Sequence, residues 1–131
     1  MISIINKIKQ NISTNIEEII PNESLKDFVT DGKFIRSTLA ILYLKSQDCE
    51  ITEDICKILE AGELIHNASL LHDDVLDDAE IRRNKATIAK KYNQKISILT
   101  GDYLISKAIE KLLEINDTKI IASFKNCTEK M

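Results

Sequence analysis

Apolar residues recur at helical spacing along almost the whole chain. Ile5, Ile8, Ile12, Ile16 and Ile19 form one stripe, which predicts a first helix that stops before Pro21. Ser24 followed by Asp27 reads as a capping signal for a short helix to Val29, and Asp31-Gly32 as the break behind it. A third helix is expected over residues 33–45, with Leu39, Leu42 and Tyr43 facing inward. Thr52, with Glu53 and Asp54 in the turn behind it, marks the start of the next. From Ile55 to Asp78 only Gly62 interrupts, so that stretch predicts a rod of roughly 40 Å at 1.5 Å per residue. Residues 79–94 are polar and charged and read as a loop with a short helical piece. A helix over residues 95–114 would turn Ile98, Ile105, Ala108 and Leu112 to one face, and Asp117 would cap a last helix ending near Phe124. No alternating β-branched run is bounded by turn signals, so no strand is expected.

Composition sharpens this picture. Three Gly and one Pro in 131 residues leave few breakers, which favours long helices and an all-α fold. The length suits one domain over residues 1–131, with no repeat or linker. Hydrophobic residues at 44% exclude a disordered chain. A net charge of −3 gives no reason to expect nucleic acid, so any anion site must come from local Lys and Arg. Cys49, Cys56 and Cys127 are scattered with no CxxC pair and read as free thiols in a reducing compartment. No segment has the apolar length of a membrane span, and Asn6, Lys7 and Lys9 break the start of the chain as a signal peptide. The expected location is the cytoplasm.

The most informative stretch is His72-Asp73-Asp74-Val75-Leu76-Asp77-Asp78. Asp73 and Asp77 are four apart, so on a helix their carboxylates lie one turn apart, where like charges repel. A divalent cation would compensate. Two carboxylates cannot fill the shell of Mg²⁺, which takes its other ligands from water and phosphate oxygens, so the pair suits a metal-bound diphosphate. Taken alone, the pattern also suits a solvated acidic helix end. His66 lies two turns back on the same face, the intervening turns are largely apolar, and Arg82 and Arg83 follow with forks fit for phosphate. Upstream, Lys33 and Arg36 stand at i and i+3 on the expected first turn of a helix, where cations are unfavourable unless an anion binds. Two solvated surface charges are the plain alternative.

Together these residues resemble trans-polyprenyl diphosphate synthases. Residues 63–83, from Glu63 through His66, Asp73, Asp74 and Asp77 to Arg82-Arg83, resemble that family's first aspartate-rich region almost without a break. Residues 99–104 resemble its Gly-Asp-Tyr-Leu stretch. Residues 31–37 resemble its Gly-Gly-Lys-Arg-x-Arg-Pro box more loosely: Gly32, Lys33 and Arg36 match, while Asp31, Phe34 and Ser37 depart. Asn84 stands where the family usually has Gly.

The resemblance implies an antiparallel helix bundle of the isoprenoid synthase type, cut to its first helices. It implies a prenyltransferase that condenses isopentenyl diphosphate onto an allylic diphosphate with Mg²⁺. Asp73, Asp74 and Asp77 would form the catalytic motif, with Asp73 and Asp77 as metal ligands. Arg82 would hold the allylic diphosphate, and Lys33, Arg36, His66 and Arg83 the isopentenyl diphosphate. Ala68, five before the first aspartate, would leave room for a medium or long product of the octaprenyl kind; simple helix packing explains a small residue there equally. The family's second aspartate motif has no counterpart, since Asp73-Asp74 and Asp77-Asp78 are the only paired aspartates. The expectation is therefore a truncated synthase, impaired alone and homodimeric or associating through exposed helices. The alternatives are a non-catalytic helical subunit that partners a synthase, and an unrelated helical metal- or partner-binding module.

Overall fold

In the computed structural model, which describes residues 1–17 and 23–130, a central helix gathers the other elements around it. The order is α1 (Ile2–Glu17), α2 (Glu23–Thr30), α3 (Ile35–Ser46), α4 (Glu53–Leu76), β1 (Ile81–Arg82), β2 (Lys85–Ala86), α5 (Ile88–Lys91), α6 (Gln94–Ile115) and α7 (Thr118–Glu129). The all-α expectation holds, apart from one small hairpin. Among the described residues no helix is long and apolar enough to cross a membrane.

The 24 residues of α4 make a rod of about 36 Å. Its start is fixed as the sequence implied, with Thr52 Oγ1 accepting from Ile55 N at 3.2 Å. The α4–α6 interface is the most extensive in the molecule, and its contacts give the direction of packing. Lys57 pairs with Glu114, Glu60 with Lys111, the Leu71 carbonyl with Ser97, and His72 with the Ile98 carbonyl. From 57 to 72 on one helix the partners fall from 114 to 97 and 98 on the other, so the two helices are antiparallel. In α1 the partners rise together, Lys7 with Glu53 and Asn11 with Glu60, so α1 runs parallel to the first half of α4.

The core joins Ile8 and Ile12 of α1, Val29 of α2, Phe34, Ile41 of α3, Leu64, Ala68 and Leu71 of α4, and Leu104, Ala108 and Leu112 of α6. Each large aliphatic side chain removed from water contributes about 1.5–3 kcal/mol. Glu60 is buried among them: Asn11 Nδ2 donates to its Oε1 at 2.8 Å, and Lys111 Nζ sits 3.3 Å from Oε2, outside hydrogen-bond alignment. A charge this deep needs its partners, and here they tie α1 and α6 to α4.

Several expectations are corrected. Leu39, Leu42 and Tyr43 are exposed, and α3 instead buries Ser37 and Ile41. The helix starts at Ile35, so Lys33 precedes it rather than lying in its first turn. Ile98 is exposed, and α6 presents Ser97, Thr100, Gly101, Leu104, Ala108 and Leu112 inward. Asp117 caps α7 through Lys119 N and Ile120 N, but the helix continues to Glu129. Ser24 lies inside α2, which begins at Glu23. Ile19 and the stop before Pro21 lie outside the described residues, as does the side chain of Ile16.

The hairpin replaces an expected loop. Ile81 pairs with Ala86 and Arg82 with Lys85, leaving Arg83 and Asn84 as a two-residue turn. Both have positive φ, 53° and 63°, the conformation of a type I′ turn, which suits the right-handed twist of two short strands. Asn tolerates this region better than most residues, which explains how Asn84 serves in place of Gly.

Candidate functional site

A cavity of about 520 Å³ opens between the start of α3, the middle of α4 and the hairpin turn. Lys33, Arg36, His66 and Arg83 all line it, together with Glu63, Asn67 and the 31–35 segment. Glu63 and Asn67 were missed by sequence reasoning; their signal is their place one turn before and one residue after His66 on α4.

The loop into α3 is built with care. The Arg83 guanidinium packs over Gly32, where a Cβ would meet Nη2 at 3.4 Å, an ordinary van der Waals contact. Arg83 Nη1 donates to the Phe28 carbonyl at 2.9 Å and its guanidinium lies 5.6 Å from the Phe28 ring centre. These contacts offset the strain of its positive φ. The three departures from the family's basic box each find a local partner. Asp31 Oδ2 pairs with Lys85 Nζ of the hairpin at 2.6 Å. Phe34, at φ 53°, buries its ring under Lys9 Nζ at 4.9 Å. Ser37 Oγ donates to buried Glu63 Oε1 at 2.8 Å.

Electrostatics favour an anion in this cavity. Among the described residues neither Lys33 nor Arg36 forms an ion pair, and both are exposed. Burial, then the charges of Arg36, Arg83 and Arg82, pushes the His66 pKa below 6.5. A bound phosphate would draw all of these groups toward it.

The acidic residues stand apart from the cavity, at the end of α4. Asp77 caps the helix, its N–H donating to the Asp73 carbonyl at 2.8 Å, so the two lie one turn apart as expected. Both are exposed, at the end of a helix that is otherwise mostly buried or half-buried. Asp74 differs: its side chain is fully buried. Arg82 Nη2 and Nε donate to Asp74 Oδ1 at 2.7 and 2.9 Å, and Nε also reaches Oδ2 at 3.2 Å. Arg82 therefore lies in a second cavity, of about 460 Å³, lined also by Arg83, Lys85 and Lys91. Among the described residues no three His, Cys, Asp or Glu side chains converge on one metal position. Ala68 is wholly buried in the core.

His66 and Asp73 share α4, and seven residues put them about 10 Å apart along its axis and on nearly one face. One wall of the basic cavity and a pair of exposed carboxylates thus share a single helix.

Comparison with known proteins assigns this arrangement to a family. The polyprenyl synthetase family model matches residues 19–131. The chain is 42% identical over 88 residues to heptaprenyl diphosphate synthase component 2 of Bacillus subtilis, covering 67% of this chain and 25% of that protein. It is 35% identical over 121 residues to a short chain isoprenyl diphosphate synthase of Methanocaldococcus jannaschii, covering 89% and 36%. It is 32% identical over 126 residues to octaprenyl diphosphate synthase of Haemophilus influenzae, covering 93% and 38%. The chain thus spans between a quarter and two fifths of the length of these relatives. With Lys33, Arg36, His66 and the aspartate run all inside the matched region, the chain belongs to the polyprenyl synthetase family.

Proposed function

We propose that residues 1–131 form part of a polyprenyl diphosphate synthase domain and supply the first aspartate-rich half of its prenyl-transfer site. The observation that carries this reading is the cavity shared by Lys33, Arg36, His66 and Arg83, one wall of which shares α4 with Asp73 and Asp77. The basic cavity suits isopentenyl diphosphate. The carboxylate end, with Arg82, suits the allylic diphosphate.

Asp73 and Asp77 would hold Mg²⁺. Two exposed carboxylates one turn apart are the donor set of an ion that completes its shell with water and phosphate oxygen. When bound, the metal supplies charge stabilisation to a departing diphosphate. Arg82 adds positive charge near the leaving oxygens, while Lys33, Arg36 and Arg83 orient the second diphosphate. His66, whose pKa is lowered by burial and the nearby arginines, can donate a hydrogen bond to the same diphosphate. By the family resemblance the small side chain of Ala68 suits a medium or long product, although here it is packed into the core and lines neither cavity described above.

A second reading is a helical subunit that assists a synthase. It is favoured by the relative from Bacillus subtilis, whose name marks it as one component of its enzyme, and by the exposed apolar side of α3.

Labelled isopentenyl diphosphate, farnesyl diphosphate and Mg²⁺ test both readings on the 131-residue chain. The expected result is little or no turnover but Mg²⁺-dependent binding of a bisphosphonate that Asp73→Ala abolishes. Asp73-dependent turnover would show that these residues suffice. Absence of bisphosphonate binding would sink the synthase-site reading.

A further inference from the structure

We propose that Asp74 is a positioning residue for Arg82, holding its guanidinium by one edge so that the other is presented to a diphosphate. This rests on the diphosphate-site reading above, in which Asp73 and Asp77 hold the metal, and adds a role for the buried aspartate between them.

The geometry comes first. On a helix, Asp73 and Asp77 are about 40° apart around the axis, whereas Asp74 lies about 100° from Asp73. Asp74 therefore faces the flank toward the hairpin. Burial agrees: the Asp74 carboxylate has no exposed surface, while Asp73 and Asp77 are open to solvent. What sets Asp74 apart is enclosure: its carboxylate is taken up by Arg82 on both oxygens, whereas Asp73 and Asp77 stand open to a hydrated ion.

The chemistry follows from which guanidinium edge is used. Asp74 takes the side edge of Arg82, Nε and Nη2. That leaves the end edge, Nη1 and the second Nη2 proton, free to accept a phosphate in a two-point contact. An arginine fixed by one carboxylate loses less freedom when it binds an anion with the other edge. The same pair fastens the hairpin to α4, alongside the Thr87 Oγ1 bond to the Ala79 carbonyl at 2.9 Å and the Ala79 N–H bond to the Asp74 carbonyl at 2.9 Å. Hairpin and guanidinium are thereby set by one buried acid.

The probe is inorganic pyrophosphate titrated calorimetrically into the 131-residue chain, once in EDTA and once in Mg²⁺. The metal-free titration reads the cations, and the gain on adding Mg²⁺ reads the metal ligands. Asp74→Asn is expected to weaken metal-free binding by on the order of tenfold, the weight of one charge-assisted hydrogen bond, and to keep the Mg²⁺ gain. Asp73→Asn is expected to do the reverse. Arg82→Lys keeps the charge but not the two-edged fork, so it should match Asp74→Asn, and adding Asp74→Asn to it should change nothing more. An Asp74→Asn chain that loses the Mg²⁺ gain with metal-free binding intact would make Asp74 a metal ligand and overturn the proposal. Should Asp74→Asn not fold, Arg82→Lys decides: wild-type metal-free affinity there overturns it equally. A wild-type chain that binds pyrophosphate in neither buffer overturns the diphosphate reading and this inference together.

Discussion

The imidazole of His72 occupies the space that a side chain at Gly101 would fill: a Cβ on Gly101 would lie 2.4 Å from His72 Nε2 and 2.6 Å from Cδ2. Nε2 is 3.2 Å from both the Ile98 carbonyl and Asp102 Oδ1, two acceptors, so this nitrogen carries the proton. The Gly-Asp pair of α6 thus grips the residue next to Asp73.

Gly101→Ala should therefore destabilise the fold by about 1–3 kcal/mol, the usual range for overpacking a tight contact. His72→Ala in the same background should recover part of the loss by removing the ring that clashes. Only part is expected, because the Ala68 carbonyl also lies 3.2 Å from the added Cβ. Urea unfolding of the two single variants and the double variant measures this coupling.

His66 makes stability depend on pH. Its folded pKa lies below 6.5 because of burial and the facing Arg36, Arg83 and Arg82; Glu63 and Lys33 line the same cavity. The unfolded chain then binds more protons, so stability rises with pH. The contribution is fully present above 6.5 and is lost as pH falls through 6.5 toward the lowered folded value. The urea midpoint should drop between about pH 7.5 and about pH 5.5, with a smaller drop in His66→Gln. Pyrophosphate should raise the His66 titration midpoint followed by NMR, since an anion favours imidazolium.

Asn84 carries the left-handed corner of the hairpin. Asn84→Gly should leave stability within about 0.5 kcal/mol, whereas Asn84→Val should cost about 1–2 kcal/mol, the penalty of a β-branched residue at φ 63°. Thermal unfolding of both variants checks the contrast.

On α3, Ile35, Leu39, Leu42 and Tyr43 are 57%, 62%, 47% and 66% exposed, an apolar side of the kind that drives association. Sedimentation velocity should show concentration-dependent self-association that Leu39→Ser with Leu42→Ser weakens. A strictly monomeric wild-type chain would refute it.

The same helix shows why sequence reading succeeded unevenly. Helix starts were legible at Thr52 and Asp117, where the cap is a local bond, but the caps at Thr87 and Asn93 went unread inside a stretch taken as loop. The inward face of α3 was not, because apolar residues surround the helix and no periodicity selects a side. What decides it is Ser37 bonding Glu63, 26 residues away, a pairing without a sequence signature. The hairpin was hidden for a related reason: Arg83-Asn84 lacks the glycine that usually marks a type I′ turn, and its positive φ is supported by the distant Phe28. Lys33, Arg36, His66 and Arg83 were named from motif resemblance, and the cavity they share could not be read from spacing alone.

The contacts around α4 also span very different lengths of chain. Asp74 and Arg82 are separated by 8 positions, Leu71 and Ser97 by 26, while α1 reaches Glu60 from Asn11 across 49. Closing a short loop costs less entropy than closing a long one, and short-range contacts form sooner during folding. The hairpin and the α4–α6 pair can therefore assemble as an early unit, with α1 settling onto them last. By the same logic α1 is the first piece to detach under mild denaturation, and the carboxylate end of α4 would outlast it.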